Sequence, residues 1–430
     1  MEKKYLHILS YDGLSKVDIE KLNKMPNFKK FFKYASGCIR VKSVYPSITY
    51  CAHTSITTGN YPNKHGIINN TMFQPGRKSP DWFWYDRDIK TATFQKLAKN
   101  EGYRILSIFW PVTAGSKDIK YNMPEIFANR WWKHQIPVSL ANGSPMFQYK
   151  LNSKFGKLRN GIKEPELDNF SHQSFLYSLE NYKTDINMIH YIDLDSQRHE
   201  FGFNSVQADE ALERLDRRLG EIIEKLKKVG IYENSVIVVL GDHSSKDGHS
   251  NVYINHLLEK NGLLKKNPDE TVKNYKVICK SSDGSAYIYA NDNISDEKIL
   301  EIIEPLKIDG VLEEIYTSEE AEKLGADKNC RFMLEAAEGY FFIDDVKDRT
   351  IIPVKELVGK QKKLCVNNHG YNPNTKEDYE TVFFIAGKGI KKNIMIDEMS
   401  LVDEGPTFAK IMGFDMKDTD GVARTEFLEV

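Results

Sequence analysis

Ile186-Asn187-Met188-Ile189-His190-Tyr191-Ile192 runs straight into Asp193-Leu194-Asp195-Ser196-Gln197-Arg198-His199. The first seven residues form a short apolar run of strand length, and the next seven carry two carboxylates and an imidazole. After Ser205, a plausible helix N-cap, Ala208, Ala211, Leu212, Leu215, Leu219, Ile222, Ile223 and Leu226 recur at three- and four-residue spacing, and Gly230 lies just past them. This predicts an amphipathic helix with one core-facing stripe. Val236 to Leu240 then reads as a second strand, so the segment is strand, helix, strand. Leu6 to Ser10, Ile105 to Phe109 and Val382 to Ala386 continue the alternation. The pattern predicts an α/β fold with a mostly parallel central sheet sandwiched by helices.

Two stretches interrupt the alternation. Residues from about 72 to 165 combine Pro, Gly and aromatics with weak periodicity, which predicts a lid-like insertion. Residues 266–364 hold strand-like pieces, Ser285 to Tyr289 and Gly339 to Ile343, with helices between them, which predicts a small α+β cap. The core is then 1–265 together with 365–430. Forty per cent hydrophobic and 28% charged residues over 430 positions exclude global disorder or a fibrous repeat. Sixty basic against 61 acidic side chains leave a net charge of -1. Such a chain has no general field for nucleic acid or anionic lipid, so any phosphate recognition must be local. No apolar run reaches the length of a membrane span, and Met1 to Ser10 lacks the features of a secretory signal. A cytoplasmic protein without a membrane partner and without sequence-specific nucleic-acid binding is expected. Five scattered cysteines without a CxxC pair indicate neither a disulfide framework nor a thiolate zinc site.

In an open parallel sheet, ligands bind beyond the carboxyl ends of the strands. Strand Leu6 to Ser10 leads to Asp12, strand Ile186 to Ile192 to Asp195 and His199, and strand Val236 to Leu240 to Asp242-His243. His369 precedes the last strong strand and can return to the same edge. Any one of these carboxylates is explained by a turn or helix cap; together, three Asp and three His suffice for two divalent sites with mixed oxygen and nitrogen ligands. Zinc suits such ligands best and manganese less well. Two cations about 4 Å apart would clamp an in-line phosphoryl displacement. Tyr45 to Pro62 reads as an X-Pro entry, a helix capped by Thr or Ser, and a Gly59 stop. A hydroxyl at that helix start sits at the positive end of the dipole.

The order of these motifs resembles the alkaline phosphatase superfamily, and within it the nucleotide pyrophosphatase/phosphodiesterase (type I phosphodiesterase) family. The resemblance is most specific from Pro46-Ser47-Ile48-Thr49 through Thr58-Gly59-Asn60-Tyr61-Pro62 to His65-Gly66-Ile67, and Trp110-Pro111 also fits. It implies Thr49 as nucleophile. It further implies Asp195, His199 and His369 around one divalent cation, and Asp12, Thr49, Asp242 and His243 around a second. It departs at Ala52, where these phosphodiesterases usually carry a phosphate-contacting Asn, at Ser244-Ser245, and at Gln197-Arg198. A replacement phosphate donor is then expected from Arg, Lys or water elsewhere.

The implied activity is hydrolysis of phosphodiesters or nucleotide pyrophosphates through a phosphothreonine, on a small phosphorylated substrate. A phosphomonoesterase or phosphonate hydrolase of the same superfamily is the alternative, and a non-catalytic, metal-dependent phosphate-binding protein the reading from another class. Trp82, Trp84 and Asn70 are candidates for substrate contact, while His7 and His190, inside predicted strands, are expected to be core histidines. Oligomeric state is not legible.

Overall fold

Residues 3–291, 293–357 and 365–429 are described by a computed structural model. The apolar runs become strands β1 (Tyr5–Tyr11), β2 (Ser36–Lys42), β3 (Ile105–Ile108), β4 (Tyr121–Met123), β5 (Ile186–Tyr191), β6 (Ser235–Gly241), β7 (Thr381–Gly387) and β8 (Met399–Ser400). They form one sheet in the order β8-β2-β7-β6-β1-β5-β3-β4. Every pair is parallel except those of β7, which runs antiparallel to both neighbours. At the centre, Ile8 lies opposite Met188 on one side and Val238 on the other.

Alternate residues of a strand point to opposite faces, so continuous apolar runs fit a sheet covered on both sides. Leu6, Ile8, Met188, Val238 and Leu240 meet Cys51, Ala52 and Ile56 of the helix Thr49–Thr58. Leu9, Ile189, Ile237 and Val239 meet Leu212, Leu215, Leu219 and Leu226 of the helix Val206–Lys228. That helix begins where its sequence requires. Ser205 accepts a bond from the Ala208 N–H, and Gly230 turns the chain out at φ +75°.

Within 72–165, the helix Phe94–Asn100 and strands β3 and β4 join the central layers, and the helices Gln135–Ala141 and Pro145–Phe155, in the stretch expected to form a lid, pack against each other. Within 266–364, a four-stranded antiparallel sheet orders Val277–Ser282, Ser285–Ala290, Phe332–Ala336 and Leu312–Thr317. The helix Asp296–Ile308 buries Ile299 and Ile303 in the same cluster as Ile288 and Leu334. Residues 358–364 of that stretch lie outside the described residues. Among the described residues, no helix is long and apolar enough to cross a membrane.

Candidate active site

The three central strands β6, β1 and β5 are adjacent, so residues that follow them converge at one edge. Asp12 follows β1, Asp242 and His243 follow β6, and the helix Asp193–Phe201 after β5 presents Asp195 and His199 four residues apart on one face. His369 arrives on a loop held by two backbone bonds, from the Gly370 N–H to the Ser47 carbonyl (3.0 Å) and from the Gly284 N–H to the His369 carbonyl (2.8 Å). Gly370 has φ +87°, and a Cβ there would stand 1.9 Å from the Ser282 carbonyl oxygen. Only glycine fits this approach.

The expected ligands fall into two groups: Asp195, His199 and His369, and Asp12, Asp242 and His243. Within each group the candidate ligand atoms lie within 4.8 Å of one another. In the second group, His243 Nε2 is 3.3 Å from both Asp12 Oδ1 and Asp242 Oδ2 and 3.2 Å from Thr49 Oγ1. In the first, His199 Nε2 is 3.0 Å from Asp195 Oδ2 and His369 Nε2 is 3.9 Å from Asp195 Oδ1. The groups adjoin, since the His243 and His369 rings are 4.0 Å apart between centroids.

The arrangement fits cations, and the hydrogen bonds show why. Asp242 Oδ1 accepts from the Gly13 and His243 N–H groups, both at 3.0 Å, while its Oδ2 is buried without a partner. Asp12 Oδ1, Asp195 Oδ1, His243 Nδ1 and His369 Nδ1 are orphaned in the same way. Buried polar atoms are rarely left unpaired, and the three carboxylate oxygens among these ask for a ligand with positive charge. His199 Nδ1–H donates to the Asn367 carbonyl at 2.6 Å, which fixes the ring with Nε2 facing Asp195 Oδ2.

Electrostatics point the same way. Burial, then the neighbouring Asp242 and Asp195, push Asp12 well above its ordinary carboxyl range. Burial moves Asp242 up to about 6, His243 down to about 4 and His369 down to about 3. For Asp195, burial is outweighed by His199, and its carboxyl is held low. Burial thus disfavours the charged forms of Asp12, Asp242, His243 and His369, while for His199 burial is outweighed by Asp195, which raises it well above its ordinary value, and the two pair at 3.0 Å.

Thr49 opens the helix Thr49–Thr58 at its first position, and its hydroxyl faces the second group. The expectation of a hydroxyl cap is corrected: the N-cap is Ile48, which makes no side-chain cap. The Tyr50 N–H is capped instead by Asn70 Oδ1 at 2.9 Å. The expectation drawn from Ala52 is corrected as well. Ala52 is fully buried against the sheet, so a side chain there could not reach a phosphate. Asn70 lines the cavity and, with Oδ1 committed, has its amide N–H groups free to serve as donors.

A cavity of about 730 Å³ opens from Asp12, Thr49, Asp195, His199 and His369, with Asn70 and Trp82 on its wall. Trp82 packs edge-on against Tyr50 and Phe127, at 5.2 Å each. Trp84 does not line the cavity: at 4% exposure it is held edge-on against Tyr85 and Phe127 in a buried aromatic cluster, and its expected substrate contact is corrected to packing. His7 is a core histidine bonded to Ser235 Oγ. His190, also buried, does more: its Nε2 stands 3.2 Å from Asp12 Oδ2 and its Nδ1 3.2 Å from Ser10 Oγ. Ser10 Oγ in turn lies 2.8 Å from Nε2 of His53, whose Nδ1–H donates to the Thr49 carbonyl at 2.9 Å. The sequence reading missed His53, although it lies four residues after Thr49 on the same helix face.

Of the departures Gln197-Arg198 and Ser244-Ser245, Arg198 and Ser244 are structural ties. Arg198, 1% exposed, donates to the Gly13 carbonyl at 2.6 Å and to Asp18 Oδ1 at 2.5 Å, so it clamps the turn that carries Asp12. Ser244 Oγ bonds Ser15 Oγ on the same turn. Breaking a buried ion pair strands its partner, so Arg198→Met is expected to lower stability by about 3 kcal/mol. Denaturant unfolding followed by circular dichroism measures it; a loss below about 1 kcal/mol would contradict a clamp of this kind.

The chain matches the family described as Type I phosphodiesterase / nucleotide pyrophosphatase over residues 6–372. It is 28% identical over 261 residues to ectonucleotide pyrophosphatase/phosphodiesterase family member 1 of Homo sapiens, covering 58% of this chain and 23% of that protein. It is 24% identical over 260 residues to venom phosphodiesterase 2 of Crotalus adamanteus, covering 57% of this chain and 27% of that protein. Bis(5'-adenosyl)-triphosphatase ENPP4 of Homo sapiens is 23% identical over 246 residues, 55% of this chain and 47% of that protein. The matches thus span about a quarter to a half of these curated relatives. Among solved structures, murine ectonucleotide pyrophosphatase / phosphodiesterase 5, in an inactive form in complex with AMP, superposes with a TM-score of 0.67 at 18% identity over 100% of both chains. The human counterpart gives 0.68 at 17%, also over 100% of both. These two likenesses concern the fold, while the match over residues 6–372 takes in most of the chain: the chain belongs to the Type I phosphodiesterase / nucleotide pyrophosphatase family.

Proposed function

We propose that this protein is a metal-dependent hydrolase of phosphodiester and nucleotide pyrophosphate bonds that works through a phosphothreonine at Thr49. The observation that carries the reading is Thr49 Oγ1, at a helix start, 3.2 Å from His243 Nε2 and open to the cavity. Asp195, His199 and His369 would hold one divalent cation, and Asp12, Asp242, His243 and Thr49 a second; zinc suits this oxygen and nitrogen set best. Bound cations supply a lowered pKa for the Thr49 hydroxyl and countercharge for the oxygens of the transferring group.

The chain's own residues do the rest. Thr49 Oγ1 forms a bond to phosphorus as the bond to the leaving oxygen breaks in line. The positive helix end faces the phosphoryl oxygens, with Asn70 supplying the amide donor that Ala52 does not. His53 and Arg198 hold Thr49 and the Asp12 turn in place. Water then cleaves the phosphothreonine and returns the free hydroxyl, and two in-line displacements leave the configuration at phosphorus retained. The AMP complex of the inactive murine relative supports a nucleotide as the group carried, and Trp82 offers a ring at the cavity wall for a base to pack on. The cavity has room for a second substituent on phosphorus, which favours a diester over a monoester.

The test compares bis-p-nitrophenyl phosphate with p-nitrophenyl phosphate, with zinc or manganese added. Faster release from the diester is expected. Faster release from the monoester would assign a phosphomonoesterase, and release from neither would favour the binding protein.

A further inference from the structure

We propose that the lid docks this protein onto anionic lipid surfaces, with the mouth of the cavity facing the membrane. Residues 126–163 contain seven basic side chains, Arg130, Lys133, Lys150, Lys154, Lys157, Arg159 and Lys163, and not one Asp or Glu. In a chain of net charge -1, this is a concentrated local field. Arg130 is neutralised by Asp81. Arg159 is half-buried and bonded to Asn152. No ion pair engages the five lysines among the described residues, and Lys150 and Lys154 instead lie over the rings of Tyr177 and Tyr182.

The same segment exposes large apolar side chains that a water-facing lid does not require. Trp131 is 90% exposed, Met146 77% and Ile162 74%, and Trp132 and Leu158 are exposed beside them in sequence. The helices Gln135–Ala141 and Pro145–Phe155 pack together, and along the second, Met146, Tyr149, Lys150, Ser153 and Lys154 recur at three- and four-residue spacing on one outward face. Ile136, Tyr149 and Ile162 also line the mouth of the cavity. The basic, apolar surface is therefore continuous with the entrance to Thr49.

Chemistry selects the occupant. Apolar side chains ringed by unpaired lysines are the composition of an interfacial face, in which aromatic and aliphatic groups enter the headgroup boundary and lysines reach lipid phosphates. A single-stranded nucleic acid would use the indoles but has nothing to gain from Met146, Leu158 and Ile162, which offer no stacking plane. A second copy docked by a two-fold axis would set this basic patch against itself. The expectation of no membrane partner rested on net charge and on the lack of a spanning run, and a peripheral contact needs neither.

The experiment is co-sedimentation of the full chain with phosphatidylcholine vesicles and with vesicles containing phosphatidylserine. Tryptophan emission is followed in parallel. Binding to the anionic vesicles alone, with a blue shift, is expected. Each lysine near an anionic leaflet contributes about fivefold to the partition coefficient, so Lys150→Ala/Lys154→Ala/Lys157→Ala should bind about a hundredfold more weakly. Trp131→Ala/Trp132→Ala should lose the blue shift and much of the binding, while hydrolysing bis-p-nitrophenyl phosphate as the parent does and melting at the same temperature. Equal binding to both vesicle types, or unchanged binding by both variants, would overturn the proposal. So would stronger binding to an oligothymidylate through the same residues, or a dimer that the tryptophan variant dissociates.

Discussion

Thr49→Ala is expected to reduce kcat by about 10³-fold or more while leaving the metal content intact. The argument is geometric. Thr49 Oγ1 is the hydroxyl that shares His243 Nε2 with two orphaned carboxylate oxygens, and it stands at the positive end of a ten-residue helix. Removing it deletes one oxygen and creates almost no cavity, since Thr49 opens to the pocket. The fold and the other six ligand candidates should survive, so metal analysis and thermal unfolding separate lost chemistry from lost structure. Thr49→Ser, which restores the oxygen, should recover most of the activity. Near-normal kcat in the alanine variant with full metal loading would eliminate the covalent route and leave a cation-activated water in its place. Full ligand affinity in a parent that never turned over would instead leave only a binding protein.

How much of this was legible in the sequence depended on how local each signal was. The central layers follow from periodicity: strand-length apolar runs, and a helix whose stripe from Ala208 to Leu226 is bracketed by Ser205 and Gly230. Asp195 and His199 could be read at the end of one strand and were paired through the resemblance; the helix that follows the strand puts them on one face. His369 sits on a loop without periodic pattern: its place before the last strong strand allowed a return to the edge, and only the resemblance set it beside Asp195 and His199. Asn70 could not be read as the cap of Tyr50, because that bond joins residues 20 apart through a bend that nothing local announces. Ala52 was misread for a related reason. Ile48, Thr49 and Tyr50 line the cavity, but Ala52 points into the sheet with Cys51. His190 illustrates the converse: a strand interior correctly implied burial, yet register decided what it touches. It lies opposite Ser10, two residues before Asp12.

Removing the metal is the second large effect, and it should appear in stability as well as in turnover. Three carboxylates and two imidazoles are buried, with His199 half-buried, within two adjoining groups, and three of the carboxylate oxygens have no hydrogen-bond partner. Without cations, Asp12 resists ionising because burial and the charges of Asp242 and Asp195 penalise it, Asp242 because burial and Asp195 do, and His243 and His369 resist protonation because burial penalises their charge. Removing cations would therefore leave Asp12 Oδ1, Asp195 Oδ1 and Asp242 Oδ2 buried without a hydrogen-bond partner. A cation bound to the native state and not to the unfolded chain stabilises by about 4 kcal/mol at a thousandfold excess over Kd. Exhaustive dialysis against a chelator should therefore lower Tm by about 5 °C or more and reduce hydrolysis by more than about 100-fold, with zinc restoring both. Two sites also predict stoichiometry: Asp195→Asn and Asp242→Asn should each lose about one cation per chain, from different groups, and each should lose turnover. Full activity in chain shown to be metal-free would defeat the whole reading of the cluster. Loss of activity without any change in Tm would instead place the cations on the substrate rather than on the protein, because a ligand that leaves the folded state's free energy untouched was never held by it.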